Sequence, residues 1–226
     1  MNNNINLYEN FTLTPLVNFS GTLTKYGGIS ARNDILRPLT RTICSGFNID
    51  ELQAKVSDQI SQLLNVESGF ISASTSAGIC MSIAGFITGD DFELIKILPN
   101  TTSIKKNKIL ILKSHCVDYG HDILQDIYIT GAKIKIIDDY SVSSLISLEN
   151  SIDDSICGAL FVVSHHCNKN GKISFDEFYK VLSKYKVPIL VDLAAEYNLK
   201  RYHDLGADIT IHSSHKFIGG PTAGIV

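Results

Sequence analysis

Apolar residues along this chain recur at two spacings, and the spacing marks the elements. Leu52, Val56, Ile60 and Leu63 or Leu64 follow one another at helical intervals. Asn48 caps that stripe, with Glu51 at the third helical position, and Gly69 ends it before a short apolar step, Phe70-Ile71. A second helix, rich in small residues, is expected over roughly Ile79–Phe86. Elsewhere the apolar residues fall in short runs, many of them β-branched: Ile109–Leu112, Ile134–Ile137, Ala159–Val163, Ile189–Val191 and Asp208–Ile211. Runs so short and so uniformly apolar suit strands covered on both faces. Helical stretches separate them. One runs from about His121 to Thr130 and closes on Gly131. Another runs from Phe175 to about Tyr185, opened by a Ser174/Glu177 capping box. Ser141–Ser151 is expected as loop plus a short helix, and Asn198–Leu205 as a helical turn stopped by Gly206. Residues 21–38, with Gly21, Gly27, Gly28 and Pro38, read as irregular, either a surface arm or a segment crossing a partner's site.

The alternation of strand and helix predicts an α/β fold of three layers, a mostly parallel sheet flanked by helices. We expect an N-terminal arm and first helix over residues 1–45, and one large domain over 46–226. A chain of 226 residues, 44% of them hydrophobic, can bury one substantial core. Its net charge of −3 gives no basic footprint for nucleic acid. The five cysteines have no close, even spacing and are not expected to form a disulfide framework. No apolar run approaches the ~20 residues that span a membrane, and the first ten residues lack the features of a secretory signal. A soluble, cytoplasmic protein is the expectation.

Chemistry-bearing residues collect at the C-terminal ends of the strand-like runs, where open α/β sheets bind ligands. Ile189–Val191 ends in Asp192. Asp208–Ile211 ends in His212-Ser213-Ser214-His215-Lys216, followed by Gly219-Gly220-Pro221. A lysine amine forms a Schiff base with an aldehyde when it is neutral often enough to attack. A lysine linked to pyridoxal phosphate, with an acid facing the pyridine nitrogen, is a known cofactor arrangement. Lys216 and Asp192 are the candidates for those roles, with Lys216 also moving protons during the reaction. Ser74, Thr75, Ser76, Ala77 and Gly78 open a helix and offer hydroxyls and N–H groups to the cofactor phosphate. Ser213 offers another hydroxyl, and His115, leaving its strand, is placed to lie against the ring. Two other readings are set aside. His166 to Glu177 nearly fits a calcium loop but starts on a histidine and follows a strand. His165, His166, Cys167, His212 and His215 lack a zinc motif, and adjacent histidines on an extended segment point opposite ways.

The run Ser213-Ser-His-Lys216-Phe-Ile-Gly-Gly-Pro-Thr-Ala-Gly224 resembles the lysine motif of fold-type I pyridoxal-phosphate enzymes. Within them it is most similar to the selenocysteine synthase (seryl-tRNA selenium transferase) group and its relatives of the D-glucosaminate-6-phosphate ammonia lyase type. The resemblance extends from about Leu16 to Val226. Val191-Asp192-Leu-Ala-Ala-Glu196, Gly206-Ala-Asp208, Ser164-His165-His166, Gly171, Asn18, Gly21, Thr22 and Gly28 also match. It implies pyridoxal 5'-phosphate on Lys216, Asp192 at the ring nitrogen and His115 over the ring. It implies a small amino-acid or amino-sugar-acid substrate undergoing α,β-elimination, and a homodimer or higher homo-oligomer in full-length form. Selenium transfer to seryl-tRNA is the alternative, which the net charge disfavours. The chain ends ten residues after the lysine (226 − 216), where members of the group continue into a small domain that contributes a substrate-binding arginine. A fragment, or an inactive remnant, is therefore the third expectation.

Overall fold

The computed structural model describes residues 10–226. Residues 1–9, the start of the expected arm, lie outside the described residues. The helices are α1 (Asn33–Ile43), α2 (Ile49–Leu64), α3 (Thr75–Thr88), α4 (Phe92–Ile97), α5 (Ile123–Tyr128), α6 (Ser144–Asn150), α7 (Phe175–Lys184) and α8 (Arg201–Asp204). The strands are β1 (Ile71–Ser72), β2 (Lys108–Leu112), β3 (Lys133–Ile137), β4 (Ile156–Val162), β5 (Ile189–Asp192), β6 (Ile209–Ser213) and β7 (Gly224–Ile225). They form one sheet in the order β1-β7-β6-β5-β4-β2-β3. β3, β2, β4, β5 and β6 are parallel, while β7 runs antiparallel to both β6 and β1.

The continuous apolar runs have the cause expected of them. Successive residues of β2 alternate between two cores. Ile109 and Ile111 pack with Ile79 and Ile83 of α3, while Leu110 and Leu112 pack with Phe178 and Leu182 of α7. All seven residues of β4 are buried. Gly158 in its middle is required by packing, because a Cβ there would sit 2.3 Å from Phe86 Cδ2.

Local chemistry explains where helices start and stop. Asn48 accepts from the N–H groups of Asp50 and Glu51, and Ser174 with Glu177 forms the expected capping box. Gly131, at φ 83°, follows α5, its N–H bonded to the Tyr128 carbonyl. Three expectations are corrected. Asn65, at φ 56°, and not Gly69, turns the chain out of α2, an amide side chain being among the few that tolerate the left-handed region. Residues 33–38, expected to be irregular, belong to α1, which runs through Pro38. Proline leaves one helical carbonyl without its donor, but α1 buries no residue, so water can satisfy that carbonyl. His165 and His166 lie in a turn, not an extended segment, and their rings approach to 4.0 Å at 37°.

Candidate active site

Five parallel strands, β3, β2, β4, β5 and β6, end on one edge of the sheet. β1 points the same way as β6, since both are antiparallel to β7. That edge therefore gathers the Lys113–His115 turn, the loop after β4, Asp192, the turn Ser214–Ile218 and the start of α3. Residues far apart in sequence meet there because the strand register aligns their ends: Val162 pairs with Asp192, and Asp192 with Ile211.

Asp192 is 4% exposed. Its Oδ1 accepts the Ala194 N–H at 3.0 Å, and its Oδ2 accepts the Tyr119 hydroxyl at 3.0 Å. Burial raises its pKa above the ordinary carboxylate range, against the two hydrogen bonds and the charge of Lys216, which favour the anion. Lys216 lies in the π-turn Ser214–Ile218, partly buried. Burial lowers its pKa and Asp192 opposes that shift, so each group feels the other's charge. The neutral form of an amine is the one that can attack an aldehyde.

The start of α3 lies beside them through β7. Ser213 pairs with Gly224, and Gly224 with Ser72. A Cβ on Gly224 would meet Ser72 Oγ at 2.4 Å and the Ser74 carbonyl at 2.6 Å, so only glycine lets the strand close against the helix start. Ser74 is the N-cap, its Oγ accepting the Ala77 N–H at 3.0 Å. The Gly78 N–H bonds to the Ser74 carbonyl. Thr75 and Ser76, in the first turn, have N–H groups with no intrahelical acceptor. Gly78 itself serves packing: a Cβ there would meet Val226 at 2.9 Å. The Ser76 hydroxyl turns away toward α5, donating to Asp126 Oδ1, which also lies 2.7 Å from His121 Nε2. A groove of about 710 Å³ opens beside that cluster, lined in part by Cys80, Met81 and Ile129; neither Asp192 nor Lys216 lines it.

His115 is turned inward. It is 7% exposed, its Nδ1 accepts the Val162 N–H at 3.2 Å, and its ring meets Phe161 edge-on at 4.3 Å. Burial lowers its pKa to about 4. The turn that carries it is held by Asp139, whose carboxylate accepts the Ser114 N–H at 2.9 Å and the Ser114 hydroxyl at 2.5 Å. Two residues of this edge, Tyr119 and Asp139, were not singled out from sequence, and a third, His215, was weighed only as a metal ligand. Tyr119 touches Asp192 directly. His215 spans Ser213 and Thr24, with Nδ1 3.0 Å from Ser213 Oγ and Nε2 3.2 Å from Thr24 Oγ1. Asp139 anchors the β2 turn. For Tyr119 the signal was its place in the run Ser114–Gly120 that follows the β2 strand. For His215 it was its place between two residues already chosen.

No family model matches the chain. A D-glucosaminate-6-phosphate ammonia lyase from Salmonella typhimurium is 29% identical over 221 residues, covering 98% of this chain and 60% of that protein. The solved structure of a D-glucosaminate-6-phosphate ammonia-lyase superposes with a TM-score of 0.92 at 30% identity, over 97% of this chain and 59% of that one. The chain carries the large-domain fold of the fold-type I pyridoxal-phosphate enzymes. It is a close relative of that ammonia lyase and spans about three fifths of its length. A 5'-C-glycyluridine monooxygenase-decarboxylase from Streptomyces is 22% identical, over 97% of this chain and 55% of that protein. The pyridoxal-5'-phosphate-dependent protein YhfS from Escherichia coli shares the fold alone, with a TM-score of 0.57 at 13% identity.

The cofactor of these enzymes is pyridoxal 5'-phosphate, and the donor set present suits it. Lys216 offers an amine for the aldehyde, Asp192 a carboxylate for the ring nitrogen, and the first turn of α3 open N–H groups for the phosphate.

Proposed function

We propose that this chain binds pyridoxal 5'-phosphate through Lys216 and catalyses an α,β-elimination on a small amino-acid or amino-sugar-acid substrate, in the manner of an ammonia lyase. The observation that carries the reading is the pair formed by a buried Asp192 and a Lys216 whose proton affinity burial has lowered. Pyridoxal phosphate, when bound, supplies an electron sink for the pair left on the substrate α-carbon. Lys216, released from the cofactor when the substrate amine takes its place, would take the proton from that carbon and return it to the departing group, so the amine ends as it began. Asp192 holds a proton on the ring nitrogen. Ala194 and Tyr119 fix the orientation of its two oxygens. The N–H groups of Thr75 and Ser76 hold the phosphate, with Ser74 and Ser213 bordering it.

The work is divided by environment. Lys216 sits where burial favours the neutral amine, and Asp192 takes its charge when a cation stands beside it. A net charge of −3 favours a small substrate over a tRNA. No described helix is long and apolar enough to cross a membrane, and we place the protein in the cytoplasm. Val17, Phe19 and Ile43 are 75%, 93% and 74% exposed, which suits a second copy covering the N-terminal face of a homodimer.

Pyridoxal phosphate added to the protein, followed by borohydride reduction and peptide mass spectrometry, is expected to place the label on Lys216. Release of ammonia from a panel of amino-sugar acids tests the reaction class. A folded protein that takes no label, or takes it on another lysine, defeats the reading.

A further inference from the structure

The segment Asn18–Arg32 has a use that core packing does not explain. Among the described residues from 10 to 71, Gly28 alone is buried. The segment therefore gains little from apolar burial. Its contacts instead converge on the turn that carries Lys216. The Ile29 N–H donates to the His215 carbonyl at 3.1 Å, and the Arg32 N–H donates to the Gly219 carbonyl at 3.3 Å. These carbonyls flank the lysine on both sides. Between them the Thr24 hydroxyl meets His215 Nε2 at 3.2 Å, while Nδ1 of the same ring meets Ser213 Oγ at 3.0 Å. Gly28 lies against the backbone before the lysine. It holds φ at +69°, and a Cβ there would stand 2.5 Å from the His215 carbonyl oxygen and 2.7 Å from its Cδ2. Asn18 secures the loop from behind, donating from Nδ2 to the carbonyls of Gly21 and Gly28.

A single turn of π-helix is an uncommon conformation that needs outside support. Here the support comes from the far end of the chain, about 190 residues away (215 − 24 = 191). We infer that Asn18–Arg32 is a strap that sets the position of Lys216, and that His215 is its positioning residue, linking the strap at Thr24 to the strand end at Ser213. A strap held by hydrogen bonds and little burial opens more readily than the sheet beneath it. Its engagement then decides how sharply the lysine amine is placed. The inference rests on Lys216 being the cofactor lysine, but its first readout does not.

The test uses the whole chain carrying Gly28→Ala, Thr24→Val, His215→Ala or His215→Gln, with Ser20→Ala as a control. Ser20 bonds Asn18 through its backbone only. Hydrogen exchange of the amides of residues 214–220 is measured without cofactor. Gly28→Ala and His215→Ala are expected to speed that exchange about tenfold, with no change in the amides of β4 and β5. Thr24→Val is expected to act in the same direction. His215→Gln, whose side-chain amide can still reach Thr24, restores part of the protection, and Ser20→Ala changes nothing. The second readout is the rate and the absorbance maximum of pyridoxal phosphate attachment at Lys216, with slower attachment and a shifted maximum expected in the variants that lose protection. If the wild type takes no label at Lys216, the cofactor reading fails and exchange alone judges the strap. If it takes the label, and Gly28→Ala, Thr24→Val and His215→Ala match it in exchange and in attachment, the strap is refuted. A Gly28→Ala chain that does not fold leaves the decision to Thr24→Val and the His215 pair.

Discussion

Asp192→Asn separates the charge of this residue from its shape. Asparagine keeps the bond from the Ala194 N–H through its oxygen, and its amide can donate to the Tyr119 oxygen, reversing the second bond. Hydrogen bonds to a charged acceptor contribute about 1.5–3 kcal/mol and neutral ones about 0.5–1.5 kcal/mol. Neutralising the acceptor therefore weakens the two bonds by about 2 kcal/mol in total. Against that stands the desolvation of a carboxylate that is 4% exposed, which costs several kcal/mol. The second effect is the larger, so the variant without cofactor is expected to be at least as stable as wild type at pH 7. For the cofactor the balance reverses, because a neutral amide holds no proton on the ring nitrogen. Loss of one charge-assisted bond of about 1.5–3 kcal/mol weakens pyridoxal phosphate binding about ten- to a hundredfold. Absorbance titration measures the binding, and urea unfolding without cofactor measures the stability. The pH dependence adds a third measurement. A carboxyl whose folded pKa is raised favours folding fully below its ordinary 3.8 and loses that contribution as pH rises through its folded value. Asp192→Asn removes that slope. Cofactor affinity within about twofold of wild type would refute the role given to Asp192.

His115 and His212 are both held by burial near pKa 4, down from 6.5. Their contributions to stability are complete above pH 6.5 and are lost as pH falls toward 4, about 3 kcal/mol each at most. His115→Asn removes one of these contributions and is expected to lose less stability than wild type between pH 7 and pH 4.5 in urea unfolding. Gly158→Ala forces a methyl group against Phe86 and is expected to destabilise by about 1–3 kcal/mol in urea unfolding, with Phe86→Leu in the same chain restoring part of the loss. Asp139→Ala strips both partners from Ser114 and is expected to cost about 2–4 kcal/mol, with faster amide exchange in residues 113–116. Lys216→Ala is expected to abolish pyridoxal phosphate attachment while leaving the melting curve of the unliganded protein within about 1 kcal/mol, since it removes a partly buried amine that burial penalises.

Strands covered on both faces were legible because each residue of the run is apolar, as in β2, β4 and β5. β7 was not, because two residues, Gly224 and Ile225, have no period to detect. α4 is only six residues long and buries none of them, although Asp91, which accepts from the N–H groups of Glu93 and Leu94, was a cap in plain view. At the candidate site the sequence supplied positions along the chain, and the fold supplied directions. The strand-end rule located Asp192, Lys216 and His115. It did not say that His115 faces Phe161, because side-chain direction in a turn follows from neighbours elsewhere in the fold. Tyr119 reaches Asp192 only because the loop around it folds back, with Gly120 at φ 90° and its N–H bonded to Asp118 Oδ1 at 2.7 Å.

The two-residue strand β7 has a consequence for how the molecule comes into being. β1 joins the sheet only through it, as Ile71 pairs with Ile225 and Ser72 with Gly224. During synthesis, the serine-rich start of α3 emerges some 150 residues before the backbone that will lock it in place (224 − 72 = 152). Until then Gly78, in the first turn of that helix, lacks the Val226 side chain that packs against it. A pairing of such long sequence separation is slow to form. The nascent chain therefore leaves β1, and the helix start that follows it, outside the sheet until almost all of these residues have been made.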